Sequence, residues 1–251
     1  MYFNYKGIKL YYEKYENKKN KKNIVILPGF GDTRKTFNNL IYHLKDNFNI
    51  YIVDFPGFGN TEFPSYDLTI YEYSLLINEW IKFLKIDNPT LIGHSFGGRI
   101  IITLCGYYKF NYKNIILIDS AGIKPKKTLF QKIKLFTYKL LKKIIRNKKL
   151  KVKIMNLFSS SDYKSIPCNM KKTFQNIVNE DLTDYLKQIN CKTLIIWGND
   201  DMITPVKDGI KMNEFIKDSE LIILKDTNHY AYLGREHLVS EIINKQLEEW
   251  K

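Results

Sequence analysis

Short, nearly continuous apolar runs recur along the chain and alternate with longer segments of helical periodicity. Each run is bounded by Gly, Pro, Asn or Asp, which is typical of strands buried on both faces of a parallel sheet. The runs are Ile24–Leu27, Ile50–Asp54, Thr90–Gly93, Asn114–Asp119, Thr193–Trp197 and Glu220–Lys225, after an opening hairpin of Tyr2–Tyr5 and Ile8–Tyr15. The main helical patterns are Ile70–Leu84, Gly98–Tyr108, Val206–Ile216 and His237–Trp250. This alternation predicts an α/β fold with helices on both faces of one mostly parallel sheet.

One long segment interrupts the alternation. Between the runs that end at Asp119 and begin at Thr193, helical patterns occur without any strand pattern. The segment is too long for a single crossover helix and too structured for a loop. It therefore predicts a helical insertion into the α/β unit.

The segment Gly93–Gly98, Gly-His-Ser-Phe-Gly-Gly, joins a predicted strand to a predicted helix. In that context the pattern Gly-x-Ser-x-Gly is typical of a nucleophile elbow, a tight turn that lifts the serine hydroxyl above the sheet. The N–H that follows the serine then faces a developing oxyanion. Ser95 is therefore the candidate nucleophile, and a glycine turn without chemistry is the alternative.

A serine nucleophile needs a general base, and the chain has only four histidines. His229 follows the last predicted strand, at the edge of the sheet where ligands bind in such folds. It is the best candidate to take the proton from Ser95 and to deliver it to the leaving group. The sharp turn directs His94 away from the serine, which predicts that it packs beside the site or supports one of its residues. Polar neighbours predict that His43 and His237 are solvated.

The base in turn needs a carboxylate that fixes its tautomer and stabilises the imidazolium. Asp200 and Asp201 both follow a predicted strand and lie between the candidate nucleophile and base, which gives the chain order Ser, Asp, His. We favour Asp201. Asp119, at the end of the preceding strand, and Asp226 are further alternatives.

Together these motifs resemble the α/β-hydrolase superfamily. The resemblance covers nearly the whole chain and rests on motifs in the family's order, namely Leu27–Gly31, Asp54–Gly59, Gly93–Gly98, Trp197–Asp201 and Asn228–His229. In such enzymes the catalytic acid ends a Trp-Gly-x-x-Asp stretch and often precedes a proline by four residues, a spacing that Asp201 and Pro205 share. The resemblance implies an α/β-hydrolase fold, with a mostly parallel central sheet, helices on both faces and an inserted helical cap.

The resemblance also implies a division of the chain and an oxyanion hole. Residues 1–122 and 190–251 would form the α/β-hydrolase core, and residues 123–189 the helical cap or lid. The two backbone N–H donors of the oxyanion hole map onto Phe30 and Phe96. Pro28 departs from the family pattern, since relatives usually have a histidine there. That histidine is not the general base, so the departure bears on substrate shape rather than on the triad.

The chain is basic, with 40 Lys and Arg against 26 Asp and Glu. Lys is abundant while Arg and Ala are scarce, which indicates an AT-rich coding sequence and accounts for part of the excess. The charge is nevertheless clustered, because residues 124–153 hold thirteen basic and no acidic side chains. Apolar residues from Leu129 to Ile144 follow helical spacing in that stretch. A basic cap helix predicts either solvated lysines over the site or contact with an anionic membrane or substrate. No nucleic-acid partner is expected, because no reading motif is present.

Other kinds of site are not indicated, and we expect neither a cofactor nor a metal. The turns Gly29–Arg34 and Gly57–Glu62 lack the third glycine of a dinucleotide fingerprint, and no His/Cys cluster predicts a metal site. Cys105, Cys168 and Cys191 contain no C-x-x-C pair and fit a reducing compartment. Without a signal-peptide pattern or a bilayer-spanning apolar run, the chain is expected to be cytoplasmic.

The predicted activity is cofactor-independent hydrolysis of a carboxylic ester or thioester through an acyl-enzyme. The expected substrate is a small molecule with an apolar acyl or alcohol part. Carbon–carbon bond hydrolysis of a diketone-like substrate, which similar proteins with a comparable cap perform on the same triad, is the alternative. A non-enzymatic membrane- or partner-binding module is a third possibility, and the intact set of Ser95, Asp201 and His229 disfavours it.

Overall fold

The computed structural model of the protein describes residues 1–17, 19, 22–124 and 166–250. Strands within these residues are β1 (Tyr2–Tyr5), β2 (Ile8–Tyr15), β3 (Asn23–Leu27), β4 (Asn49–Asp54), β5 (Thr90–His94), β6 (Asn114–Ile118), β7 (Lys192–Gly198) and β8 (Ser219–Leu224). They form one sheet in the order β1-β2-β4-β3-β5-β6-β7-β8. The hairpin of β1 and β2 is antiparallel and joins β4 at one edge, while β3 to β8 run parallel. The sheet predicted from the apolar runs is confirmed.

Helices connect the parallel strands. They are α1 (Asn38–Leu44), α2 (Ile70–Phe83), α3 (Phe96–Ile102), α4 (Lys171–Asn179), α5 (Thr183–Leu186), α6 (Val206–Phe215) and α7 (Glu236–Glu249), with short 3-10 turns at Arg34–Phe37 and Cys168–Met170. One apolar layer lies between the sheet and α2, α3 and α6, around Trp80 and Trp197. A second lies between the other face and α1 and α7, around Phe37 and Tyr232. Helices therefore cover both faces, as the alternation predicts.

The helix after the nucleophile elbow differs from its predicted form. The pattern predicts one regular helix over Gly98–Tyr108, whereas α3 begins at Phe96 and gives way to a π-helical turn at Thr103–Tyr107. The earlier start follows from the elbow, because the turn at Ser95 leads directly into the first helical residue. By contrast, α2 begins where Thr69 forms a capping box with Glu72, close to its predicted start.

The predicted insertion falls largely outside the described residues. The basic stretch 124–153 and its apolar stripe lie there apart from Lys124, so the cap boundaries and the membrane contact stay predictions. The described residues after this stretch form α4 and α5, which pack on α3, the helix that begins after Ser95. Arg99 of α3 is buried and donates hydrogen bonds to the backbone oxygens of Ile177 and Glu180. No helix in the described ranges is both long and apolar enough to cross a membrane.

Candidate active site

Ser95 occupies a strained turn between β5 and α3. Its φ of 49° and ψ of −106° are unusual for a residue with a side chain. Four backbone hydrogen bonds hold the turn. Ser95 N–H donates to Ile118 O at 3.1 Å, and Ser95 O accepts from the N–H groups of Gly98 at 3.1 Å, Arg99 at 3.4 Å and Ala121 at 3.0 Å. The ends of β5 and β6 thus fix the hydroxyl at the carboxyl edge of the sheet.

Close packing around the elbow explains why its pattern needs glycine. A Cβ added to Gly97 would lie 1.9 Å from Leu27 O, and one added to Gly93 would lie 2.6 Å from the carbonyl carbon of Gly97. Any side chain at these positions would push the elbow away from β3. The glycines therefore let the nucleophile turn pack directly against the neighbouring strand.

Three predicted side chains meet at this edge of the sheet. The Ser95 hydroxyl lies 3.0 Å from His229 Nε2, and His229 Nδ1 lies 2.8 Å from Asp201 Oδ2. His229 and Asp201 are buried, with 8% and 4% of their surface exposed. In this arrangement Nδ1–H donates to the carboxylate, which leaves the Nε2 lone pair to accept the serine proton.

The Asp201 carboxylate is held by its own loop. Oδ1 accepts hydrogen bonds from the N–H groups of Ile203 at 2.7 Å and Thr204 at 2.9 Å, and the Thr204 hydroxyl donates to Oδ2 at 2.6 Å. Burial raises the pKa of Asp201, but hydrogen bonds from His229 and Thr204 outweigh it and leave the pKa below its ordinary value. Sequence reasoning missed Thr204, although its place between Asp201 and Pro205 was the available signal.

The other carboxylates considered from the sequence do not contact His229. Asp200 and Asp226 are exposed. Asp119 is fully buried, and its two oxygens accept the backbone N–H groups of Gly198 and Ala231, both at 2.8 Å. Burial raises the pKa of Asp119 to about 7 against the effect of these two bonds.

His94 lies beside the candidate site and contacts the backbone of His229. Its Nε2 donates to the backbone oxygen of His229 at 2.7 Å, and the ring is fully buried. Its Nδ1 lies 3.5 Å from Asp32 Oδ2 without making a hydrogen bond, and Asp32 accepts the Tyr230 hydroxyl at 3.1 Å. His94 therefore supports the backbone of the residue whose side chain faces Ser95.

The remaining histidines lie elsewhere. His43 and His237 contact each other edge to face, with ring centres 5.4 Å apart, on α1 and α7. The His237 side chain is 71% exposed, in agreement with the prediction that it is solvated.

The backbone N–H groups assigned to an oxyanion hole come from the turn after β3 and from the start of α3. Neither Phe30 N–H nor Phe96 N–H donates a hydrogen bond to any acceptor in the described part of the chain. Phe96 is also the first residue of a helix, where the helix dipole favours negative charge. The two donors are thus available to a developing oxyanion.

Aromatic rings line the same region. The Phe30 ring lies 4.8 Å from that of Phe58, 5.5 Å from that of Phe96 and 5.2 Å from that of Phe174, measured between ring centres. Phe30, Phe58 and Phe174 are only partly buried. We call Phe30, Phe58, Phe96 and Phe174 the aromatic wall. It joins the core to α4 and presents an apolar surface beside the Phe30 backbone.

Comparison with known proteins agrees with this architecture. Residues 22–140 match the family model of the alpha/beta hydrolase fold. The chain is 29% identical over 248 residues to a pimeloyl-[acyl-carrier protein] methyl ester esterase of Wigglesworthia glossinidia brevipalpis, covering 88% of this chain and 92% of that protein. It is 25% identical over 260 residues to the uncharacterized hydrolase YugF of Bacillus subtilis strain 168, covering 96% and 95%. The solved enol-lactonase of Burkholderia xenovorans LB400 superposes with a TM-score of 0.77 at 18% identity, covering 99% of this chain and all of that chain.

The chain has the α/β-hydrolase fold and is a hydrolytic enzyme. The family match, the relatives and the sheet order together support its membership of the α/β-hydrolase superfamily.

Proposed function

We propose that the protein is a serine ester hydrolase in which Ser95 is the nucleophile, His229 the general base and Asp201 the residue that orients the base. One observation carries the proposal: the continuous contact from Ser95 Oγ through His229 to Asp201, at 3.0 and 2.8 Å. The name of the methyl ester esterase relative supports an ester as the substrate.

The geometry supports a two-step reaction. Ser95 Oγ attacks the ester carbonyl while its proton passes to His229 Nε2, and the Phe30 and Phe96 N–H groups stabilise the tetrahedral oxyanion. The imidazolium then gives the proton to the departing alkoxide, which leaves an acyl-enzyme. A water molecule attacks that acyl group, again losing its proton to His229, and the acid leaves with Ser95 restored. Asp201 stays ionised throughout, because its own hydrogen bonds keep its pKa low.

The aromatic wall supports an apolar group on the substrate. It includes Phe30 and Phe96, the two residues whose N–H groups are the proposed oxyanion donors, so an acyl or alcohol chain bound at the carbonyl would run along phenyl rings. Hydrophobic contact adds roughly 0.8 kcal/mol for each buried methylene, which favours longer chains until the wall ends. We therefore propose esters or thioesters with an apolar moiety as the substrates.

A fluorophosphonate probe tests the nucleophile directly. The wild type should be labelled at Ser95, as peptide mapping would show, and Ser95→Ala should not be labelled. His229→Ala should react far more slowly, whereas His237→Ala, a change at an exposed histidine, should match the wild type. A wild-type protein that is folded but unlabelled would refute the mechanism.

Hydrolysis of a p-nitrophenyl ester series tests the substrate class. We expect kcat/KM to rise from acetate to a chain of intermediate length. Asp201→Asn should reduce kcat by about 10⁴-fold, as expected when the base is left in the wrong tautomer, while the exposed matched change Asp200→Asn should not. Equal activity on all chain lengths would contradict an apolar binding surface. Activity on diketones but not on esters would favour the carbon–carbon alternative.

A further inference from the structure

A pocket lies at the edge of the sheet opposite the candidate active site. Its volume is about 460 Å³, and it is lined by the first residues of β6 and β7, Asn114 and Lys192, which are paired in the sheet. Ser95 and Asp201 lie beyond the other ends of the parallel strands. The pocket is therefore separate from the candidate active site. It is open to solvent, because residues of its lining such as Lys109 and Lys113 are exposed.

Two cysteines line this pocket together. Cys105 is 6% exposed and lies in the π-helical turn after α3, while Cys191 is partly exposed and immediately precedes β7. Both cysteines line this one pocket although they are 86 positions apart in sequence, and both are reduced in the structure. Two free thiols at the wall of one solvent-filled pocket are neighbours in space, which is the first condition for a disulfide.

The surroundings make the two thiols unequal. Interaction with the Cys105 thiol lowers the pKa of Cys191 despite partial burial. The same interaction, together with burial, raises the pKa of Cys105. Lysines 109, 113 and 192 also line the pocket, while Asp218 opposes the Cys191 thiolate without outweighing the effect of Cys105. Cys191 is also the more accessible of the two, which makes it the sulfur that a soluble oxidant reaches first.

We propose that Cys191 and Cys105 form a reversible disulfide on exposure to a peroxide, with Cys191 as the reactive thiol and Cys105 as the resolving thiol. This is a modification site independent of the ester hydrolase reaction.

The chemistry balances with hydrogen peroxide as the oxidant. The Cys191 thiolate attacks one peroxide oxygen, the O–O bond breaks, and hydroxide leaves and is protonated to water, which gives a sulfenic acid. The Cys105 thiol then attacks the Cys191 sulfur, the S–O bond breaks, and a second water leaves. Two thiols and one peroxide thus give one disulfide and two waters. A dithiol reductant reverses the bond by thiol–disulfide exchange.

The bond would join two elements that lead to the candidate active site. Cys105 lies in the π-helical turn that continues the helix after Ser95, and Cys191 immediately precedes the strand that leads to Asp201. A crosslink between such distant positions restricts the unfolded chain strongly. The oxidised protein should therefore unfold at a temperature roughly 5–10 °C higher than the reduced one.

Peptide mapping after mild peroxide treatment tests the proposal on the wild-type protein. We expect a Cys105–Cys191 linked peptide, an intact mass lower by two hydrogens, and full reversal by dithiothreitol. Cys168→Ser should behave identically, because the exposed Cys168 takes no part. In Cys105→Ser, dimedone should trap a sulfenic acid at Cys191.

Other outcomes would overturn it. These are a bond that includes Cys168, dimedone labelling of Cys105 in place of Cys191, or no linked peptide at peroxide concentrations that oxidise Cys168. Because the linked peptide is sought in the unmodified chain, a serine variant that fails to fold leaves the test intact.

Discussion

The Asp119 carboxylate accepts a hydrogen bond from the Ala231 N–H at 2.8 Å, and its other oxygen accepts one from Gly198 N–H at the same distance. The buried Asp119 side chain, directly after β6, therefore links two segments. One leads to Asp201, and the other contains His229. Burial raises its pKa to about 7, so part of the population is protonated near neutral pH.

Asp119→Asn is expected to lower the free energy of unfolding by about 1–3 kcal/mol. The amide nitrogen cannot accept a hydrogen bond, so the N–H of Gly198 or Ala231 would face a donor and stay buried without a partner. Activity should fall as well, since both segments carry site residues. Urea denaturation of this variant, with the exposed Asp200→Asn as control, measures the effect. Equal midpoints for the wild type and both variants would show that the Asp119 hydrogen bonds do not stabilise the fold.

The raised pKa of Asp119 also predicts a pH dependence with a definite sign. A carboxyl whose pKa is higher in the folded state binds its proton more tightly there, so its contribution to stability is complete below about pH 4 and is lost as the pH rises through about 7. The stability advantage of the wild type over Asp119→Asn should shrink across that range, by at most about 1.4 kcal/mol per pH unit. An advantage that grows with pH would contradict the assignment.

Gly97→Ala should disrupt the elbow. Its Cβ would lie 1.9 Å from Leu27 O, and the clash is with backbone that cannot rotate away. We expect a loss of about 3 kcal/mol or more, as for overpacked cores, and no detectable hydrolysis. Gly234→Ala is the matched control, because Gly234 has a φ of 74° but no atom within 4 Å of the added Cβ. That variant should lose only about 1–2 kcal/mol from backbone strain and keep its activity. Thermal unfolding and an ester assay on both proteins distinguish the two cases.

Thr204→Val should weaken the support of Asp201 without touching substrate. Thr204 is 8% exposed, and its hydroxyl donates to Asp201 Oδ2 at 2.6 Å. Removing that donor should raise the pKa of Asp201, reduce kcat roughly tenfold and leave KM unchanged. As the pH is lowered, the activity of this variant should also begin to fall at a higher pH than that of the wild type. Thr204→Ser keeps the hydroxyl and should restore most of the rate, so equal losses in both variants would point to packing instead.

His94→Phe should slow the reaction by a similar factor, roughly tenfold. The ring would still fill the buried site, but His229 O would lose its 2.7 Å hydrogen bond and the backbone of the base would be less firmly placed. His94→Gln retains a side-chain N–H and should recover part of kcat. The kcat and KM of a short ester, measured beside the unfolding midpoint, test this. A loss of stability with unchanged kcat would contradict a positioning role.

Much of the fold could be predicted from local pattern. Strands β3 to β7 are buried on both faces, so their sequences are continuous apolar runs whose ends are marked by turn residues. The edge strand β8 has a similar apolar run but is only partly buried, which the pattern alone did not predict. The π-helical turn at Thr103–Tyr107 could not be predicted, because its residues keep the apolar pattern of an ordinary helix. The choice of a π-turn depends on contacts from elsewhere, such as the Tyr185 backbone, which lies against Gly106.

The reactive residues of the candidate site could be predicted from the sequence, whereas the residues that hold them in place were harder to predict. The elbow pattern singles out Ser95, and the position after the last strand singles out His229. Among the carboxylates, Asp200 and Asp201 are adjacent in sequence, and only the path of the loop decides which one reaches His229. The hydrogen bond from His94 to His229 spans 135 positions, so no local signal in the sequence could reveal it.

The separation of the proposed triad residues along the chain has a consequence for folding. Ser95 and His229 are 134 residues apart, and the strands that bring them together include β5, β7 and β8. These contacts close large loops, and such contacts form slowly and late. No fragment that lacks the last strands could hold the three side chains together, and a nascent chain would gain the arrangement only after residue 229 has been synthesised. Recovery of hydrolysis during refolding should therefore follow formation of the whole sheet rather than collapse of its first half.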